Sequence, residues 1–173
     1  MRNHRGYTLI EAVFAIVLTG LLAAIALPQI VGAIQNLKLN SAARKILSDI
    51  RYARELALSR HGTYGIEVDP ANNLYKIFSI SGSTKTVLTD PMSQKSMIVN
   101  FSTLPEYSGV TIGTVSLCEV GGCPAKDLRF DSFGTPFDSS GTVMASSATI
   151  PLSANGVTKT ITIHQETAFS EVV

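Results

Sequence analysis

Hydrophobic residues dominate one long segment near the start of the chain. The run covers residues 9–30, and over residues 12–27 nothing is charged or more polar than Thr19. A helix of this length spans about 30 Å, which is enough to cross the hydrocarbon core of a bilayer. We therefore predict a transmembrane helix at 7–30, preceded by a short polar leader at 1–6.

A helical pattern continues beyond the apolar run to about Ser59. Apolar residues recur at alternating steps of four and three, which is typical of an amphipathic helix. This half of the helix, residues 31–61, is predicted to end at His61–Gly62, with Gly62 as the residue just past the cap. The apolar stripe consists of Leu39, Ala43, Ile46, Ile50, Ala53 and Ala57, and the polar surface is expected to carry Arg44, Lys45, Asp49, Arg51, Arg54 and Glu55.

From residue 62 to 173 the pattern changes to the alternation of β-strands. The turn sequences D-P-A-N-N and Asn155–Gly156 predict two hairpins, and residues 81–90 are expected to form a polar loop. The fold class is α+β, with one long helix packed on antiparallel sheet. Strands are predicted at 64–68, 74–80, 97–101, 110–117, 128–130, 148–152 and 157–164, the last directing Val157, Lys159, Ile161 and Ile163 toward the helix.

Glu11 lies inside the apolar run, where an unpaired carboxylate costs several kcal/mol. Three interpretations compete: a single-pass anchor whose Glu11 reaches the interface, a secretory signal cleaved near Ala24–Ile25–Ala26, and a chain cut after Gly6. Only the third supplies a partner, because the new α-amine on Tyr7 can pair with Glu11 of a neighbouring subunit. We favour this interpretation.

The segment R-G-Y-T-L-I-E and the apolar helix after it resemble the signal of type IV pilins and pseudopilins. The resemblance implies cleavage between Gly6 and Tyr7 by prepilin peptidase and N-methylation of Tyr7. It also implies assembly roles for Glu11, the fifth mature residue, and for Pro28, which kinks the helix. The family usually has Phe at the first mature position, where this chain has Tyr7.

Charge and cysteine content bear on topology. Residues 1–60 carry eight basic and three acidic residues, whereas residues 61–173 carry six and ten. Arg2 and Arg5 favour a cytoplasmic N-terminus, although basic residues after the apolar run weaken this inference. Cys118 and Cys123 flank a glycine pair and are expected to form a disulfide, which suits an oxidising periplasm. We expect a single-pass protein of the bacterial inner membrane with a periplasmic C-terminal domain.

Three further segments, at 43–59, 130–137 and 160–167, resemble H-type minor pseudopilins of type II secretion and, equally, FimT-like and mannose-sensitive-haemagglutinin-type minor pilins. The resemblance implies a structural subunit of a periplasmic pilus-like filament. Its partners would be prepilin peptidase, other pilins or pseudopilins, an inner-membrane assembly platform and the membrane itself. The alternatives are a DNA-binding minor pilin of natural transformation and an adhesive or major subunit.

No constellation typical of an enzyme stands out, so no catalytic residue, cofactor or metal is expected. Asp127, Asp131 and Asp138 form a candidate calcium cluster, but acidic residues beside turns are usually solvated. The basic helix face suggests nucleic acid only weakly. The tail E-T-A-F-S-E-V-V lacks the arginine of DNA-binding relatives, which argues against a nucleic-acid partner.

Overall fold

The largest element of the computed structural model is a single helix of 52 residues, α1 (Leu9–Arg60). The structure describes residues 8–117, 127–139, 141–144, 147–164 and 170–172, without the side chains of 27, 28 and 170–172. The chain divides into two units, Met1–Ile34 and Gln35–Val173, and α1 contributes to both. The predicted long helix and the α+β class are confirmed.

The helix ends in a Schellman motif whose residues differ by one from the prediction. His61 takes the left-handed conformation, with φ of +49°. The amide of Gly62 then donates to the carbonyl of Ala57 at 3.3 Å. His61 is therefore the residue just past the cap and Gly62 the next one, so the assignment of that role to Gly62 was wrong.

Within the described residues, ten strands follow the helix and form two antiparallel sheets. The first has the order β3-β2-β1-β6-β7, with β4 also paired to β2, and the second has the order β10-β9-β8-β5. The strands are β1 (Thr63–Asp69), β2 (Leu74–Ser81), β3 (Thr84–Val87), β4 (Ile98–Asn100), β5 (Thr111–Ile112), β6 (Asp127–Phe130), β7 (Pro136–Phe137), β8 (Ala148–Ala154), β9 (Val157–Ile163) and β10 (Ser170–Val172). A short 3-10 helix, Pro105–Tyr107, precedes β5.

Both predicted hairpins are present. β1 pairs with β2 across the D-P-A-N-N turn, and β8 pairs with β9 across Asn155–Gly156. Asn155 and Gly156 have φ of +50° and +78°, the signs that a type I′ turn requires at both central positions.

Two sequence predictions on the strands were wrong. Residues 81–90 are not an unstructured loop, because β3 pairs with β2 through a turn at Gly82. The strand expected at 110–117 is reduced to Thr111–Ile112, followed by an isolated bridge between Ser116 and Thr149. Short polar strands lack the alternation that identifies a strand in a sequence, and a neighbouring strand specifies them instead.

The core of the second unit joins the helix stripe to both sheets. All six predicted stripe residues are buried, together with Ala42. In β9, Ile161 and Ile163 are buried, but Lys159 is only half-buried and Val157 is exposed. The prediction that all four side chains face the helix was therefore wrong for Val157 and only partly right for Lys159. Strand residues of the core include Ile66, Val68, Tyr75, Ile77, Leu128, Phe130, Ile150 and Leu152.

Glycine is required where β1 approaches β6. A Cβ atom on Gly65 would clash with the carbonyl oxygen of Leu128 and with the ring of Phe78. Gly65 therefore permits the two strands to pair beside a buried aromatic ring.

Candidate functional site

The N-terminal half of α1 presents apolar side chains on all sides. Among the described residues, this is the one helix long and apolar enough to cross a membrane, and none of its apolar window is buried within the structure. So wide an apolar surface is unfavourable in water and is compatible with a membrane anchor. The exposed large residues are Leu9, Ile10, Val13, Phe14, Ile16, Val17, Leu18, Leu21, Leu22, Ile25, Ile30, Val31 and Ile34.

Thr8 caps the start of this helix. Its Oγ1 accepts a hydrogen bond from the Glu11 amide at 3.4 Å, and its carbonyl accepts one from Ala12 at 3.2 Å. T-x-x-E is a capping-box spacing, a signal that the sequence analysis missed. The motif places the Glu11 carboxylate in the first turn, where the helix dipole favours negative charge.

The remaining predicted residues of the N-terminal motif are described only in part. Gly6 and Tyr7 lie outside the described residues. Pro28 lies within the helical span of α1, and its side chain is not described. Thr19 hydrogen bonds back to the carbonyls of Ala15 and Ile16 at 2.6 and 3.0 Å, so the one polar hydroxyl of the central run is satisfied inside the helix.

A buried carboxylate links α1 to the first sheet. Asp49 accepts hydrogen bonds from the Tyr75 hydroxyl and from Lys45 Nζ, both at 2.7 Å. Asp49 is only 5% exposed, so its predicted place on the polar surface was wrong. Burial, then the charge and hydrogen bond of Asp49, raises the pKa of Tyr75 far above its ordinary value. The Lys45 spacing of i,i+4 was visible in the sequence, but Tyr75 is 26 residues away.

Five charged side chains form an ion-pair network on the first sheet. Glu67 pairs with Lys76 at 2.9 Å and with Lys85, and Asp127 pairs with Lys85 at 2.8 Å and with Arg129 at 3.1 Å. Burial would raise the pKa of Glu67, but the hydrogen bonds and charges of Lys85 and Lys76 outweigh it and hold that pKa below its ordinary value. This network occupies Asp127 of the candidate calcium cluster.

The other two aspartates of that cluster stabilise separate turns. Asp131 accepts hydrogen bonds from the amides of Phe133 and Thr135, and Asp138 accepts one from Thr142. Within the part of the chain that the structure describes, no group of three metal-ligating side chains is close enough to hold a metal ion. Asp127 and Asp138 are buried, contrary to the expectation that these residues are solvated.

Comparison with known proteins gives a motif and a fold. Residues 1–27 match the family model for the prokaryotic N-terminal methylation motif. The minor pseudopilin EpsH from the type 2 secretion system of Vibrio cholerae superposes with a TM-score of 0.57 at 11% identity, over 79% of this chain and 96% of that one. The type IV minor pilin FimU of Pseudomonas aeruginosa superposes with a TM-score of 0.50 at 17% identity, over 78% of this chain and 86% of that one.

The chain carries a prepilin-type methylation motif on a type IV pilin-like fold. No curated protein matches its sequence significantly. The low identities to the two solved structures establish the fold alone. The resemblance to minor pseudopilins and FimT-like pilins noted from the sequence agrees with the methylation motif and with the two similar structures. The pilin-like fold supplies a long helix whose apolar half remains exposed, and the methylation motif lies at the start of that helix.

Cys118 and Cys123 lie outside the described residues. Their disulfide therefore stays a prediction from the sequence, as does the periplasmic topology that it supports.

Proposed function

We propose that this chain is a minor pseudopilin or minor pilin. In this proposal prepilin peptidase cuts it after Gly6, Tyr7 is N-methylated, and the apolar half of α1 anchors it in the inner membrane. The C-terminal unit lies in the periplasm, with Cys118 and Cys123 oxidised. The mature chain then joins a pilus-like filament through its N-terminal helix.

The exposed apolar half of α1 is the observation that carries this proposal. An ordinary soluble helix buries one stripe, but this one has apolar side chains on every face and buries none of them in its own fold. Lipid covers such a surface before assembly, and the helices of neighbouring subunits can replace it afterwards. The methylation motif at the start of the helix supports processing of the prepilin type.

Glu11 is proposed to direct docking. Its amide is capped by Thr8, so the first turn of the helix, which carries the Glu11 side chain, is formed. Cleavage creates a positive α-amine on Tyr7, and a neighbouring subunit shifted along the bundle brings its Glu11 to that amine. Both charges are then neutralised within an apolar environment, where an unpaired charge is expensive.

Two filament systems fit the fold equally. The similar structures include a pseudopilin of a type 2 secretion system and a type IV minor pilin. We therefore propose type II protein secretion or type IV pilus biogenesis as the process, with an inner-membrane assembly platform as the further partner. The number of copies in purified filaments distinguishes a minor subunit from an adhesive or major one.

The first experiment determines the mature N-terminus. We expect mass spectrometry of the membrane-extracted protein to find N-methylated Tyr7 as the first residue. Replacing Gly6 with a bulkier residue should leave the precursor uncut. A chain that instead begins at Leu27 would identify an ordinary secretory signal and refute the proposal.

The second experiment separates insertion from docking. Glu11→Gln should insert into the membrane as the parent does, but crosslinking between adjacent subunits should be lost, because the α-amine of the neighbour remains unpaired. Glu55→Gln is the matched control, since Glu55 is an exposed carboxylate on the same helix. Normal assembly of Glu11→Gln would show that Glu11 is only an interfacial anchor residue.

A further inference from the structure

One asparagine of the first sheet holds both ends of the loop between β4 and β5. Where the loop begins, the amide of Phe101 donates to the Asn73 carbonyl at 3.0 Å, and Asn73 Nδ2 donates to Ser102 Oγ at 3.3 Å. Where the loop ends, Nδ2 donates to the Val110 carbonyl and Oδ1 accepts from the Ile112 amide, both at 2.9 Å. The Asn73 carboxamide therefore uses its two N–H bonds and its oxygen on this loop and on the strand after it.

Both the backbone and the side chain of Asn73 suit this position. It closes the turn between β1 and β2 with φ of +52°, in the left-handed region that asparagine tolerates better than most residues. The amide of Gly113 donates to Pro151 of β8, so the Val110 carbonyl and the Ile112 amide, at alternate positions, face the outer edge of β5. The Asn73 carboxamide takes the place of the neighbouring strand that this edge lacks among the described residues. It thus joins a turn of the first sheet to the edge of the second.

The end of this loop lies against α1. Gly109 has φ of +89°, and a Cβ atom built on it would lie 2.7 Å from Gln35 Oε1 and 3.3 Å from Cδ and Nε2 of the same side chain. Glycine is therefore what allows the loop to approach the helix so closely. Gln35 Oε1 is buried and has no hydrogen-bond partner in the part of the chain that the structure describes, so this contact is one of packing. Gln35 lies about one helical turn before Leu39, where the buried stripe begins.

We propose that the loop between β4 and β5, residues 101–110, is a clamp on α1 and that Asn73 is its fastening. The clamp holds the helix at Gln35, one turn before the buried stripe begins. It thereby fixes where α1 starts to belong to the C-terminal unit. The clamp itself does not depend on filament assembly. Only its use, which is to set the length of helix available to lipid and to neighbouring subunits, rests on the proposed function.

The test uses the full-length protein, labelled with ¹⁵N and held in detergent micelles. Asn73→Gly removes the carboxamide but keeps a residue that adopts the left-handed backbone. We expect the Ile112 amide to exchange with solvent about tenfold faster, because it loses its acceptor. The side-chain amide signals of Gln35 should shift as well, because the loop no longer holds its carboxamide. The amide of Ile161, in the core of the second sheet, should exchange as in the parent.

Asn155→Gly is the matched control and should change neither measurement. Asn155 is also left-handed in a hairpin turn, with φ of +50°, but its side chain makes no hydrogen bond within the described residues. Faster exchange at Ile112 with unchanged Gln35 signals would mean that Asn73 secures only the β5 edge. Equal acceleration at Ile112 and Ile161 would mean a general loss of stability. Either result, or an unchanged Ile112, overturns the proposal, and none of them bears on cleavage after Gly6, which tests the proposed function separately.

Discussion

The two halves of α1 belong to one continuous helix but differ in whether their apolar side chains are exposed or buried. Up to Ile34 the large apolar side chains that the structure describes are exposed on every face, and Ile16 is 72% exposed. From Gln35 onward the buried apolar residues form a single stripe, in which Ile46 has no exposed surface, although Leu37 is 66% exposed. The first half depends on its surroundings, and the second completes a core within its own chain.

This difference shows that a segment can form a helix whether or not its apolar side chains are buried in the same fold. Three of the buried stripe residues are alanines (Ala43, Ala53 and Ala57), and Ala42 beside them is buried too. Such small side chains allow the sheets to approach the helix backbone closely. The N-terminal half has larger side chains and a central glycine, Gly20, with nothing near it. In the proposed function, this apolar surface serves insertion and assembly.

The largest expected effect comes from shortening one isoleucine in each half. Ile46→Ala should lower the free energy of unfolding of the C-terminal unit by about 2–5 kcal/mol, because it removes buried methyl groups and leaves a cavity. Ile16→Ala should change that free energy by less than about 0.5 kcal/mol. Denaturant titrations followed by tyrosine fluorescence can measure both, since the chain has no tryptophan.

The result would break the comparison if Ile16→Ala were as destabilising as Ile46→Ala. That outcome would mean that the N-terminal half packs on a part of its own chain and is not left for lipid or other subunits.

A smaller effect is expected from the hydrogen bond between α1 and β2. Tyr75→Phe should lower the free energy of unfolding at neutral pH by about 1.5–3 kcal/mol, because Asp49 loses a donor while remaining buried. Tyr52→Phe is the control, since its hydroxyl has no partner within the described residues. Equal stabilities of the two variants would show that Tyr75 stabilises the fold through its ring and that its hydroxyl contributes nothing.

The same pair predicts a pH dependence. Burial and Asp49 raise the pKa of Tyr75, so the folded protein keeps this phenol neutral while the unfolded chain ionises near its ordinary value of 10.0. The stability from Tyr75 is thus fully present below pH 10 and is lost as pH rises above it, by about 1.4 kcal/mol per pH unit. Tyr75→Phe should remove this part of the slope, as unfolding measured above pH 10 can check.

Much of the fold could be predicted from the sequence because strong periodic signals specify it. The long apolar run, the stripe from Leu39 to Ala57 and the Asn155–Gly156 turn each correspond to the observed element. β3 could not be predicted, because T-K-T-V is short and polar and depends on pairing with β2. Its strand character is a consequence of tertiary structure.

The candidate site was predictable where it is local. Glu11 follows from its position in the apolar run, and even the missed cap is a contiguous T-x-x-E pattern. Asp49 was misplaced because a charged residue one turn from Lys45 is normally solvated, and only the distant Tyr75 explains its burial.

The smallest expected effects come from substitutions at two glycines with different backbone conformations. Gly156 has φ of +78° and Gly20 lies in the helix, and no atom approaches the position of an added Cβ within 4 Å at either residue. A substitution therefore tests conformation alone. Gly156→Ala should lower the free energy of unfolding by about 1 kcal/mol, because an L-residue resists the left-handed region.

Gly20→Ala should leave the free energy of unfolding of the C-terminal unit unchanged, because the added methyl group meets nothing in its own chain. The helix itself tolerates the change, since alanine suits a helix interior. The variant should also insert into the membrane as the parent does. Crosslinking between subunits then distinguishes two environments. Assembly as in the parent would mean that lipid or a loosely packed neighbour faces Gly20, whereas loss of assembly with normal insertion would place another helix against it, since small residues allow close contact between helices in membranes. A loss of domain stability would contradict the separation of the two halves, because an added methyl group could act on the C-terminal unit only if Gly20 packed against it.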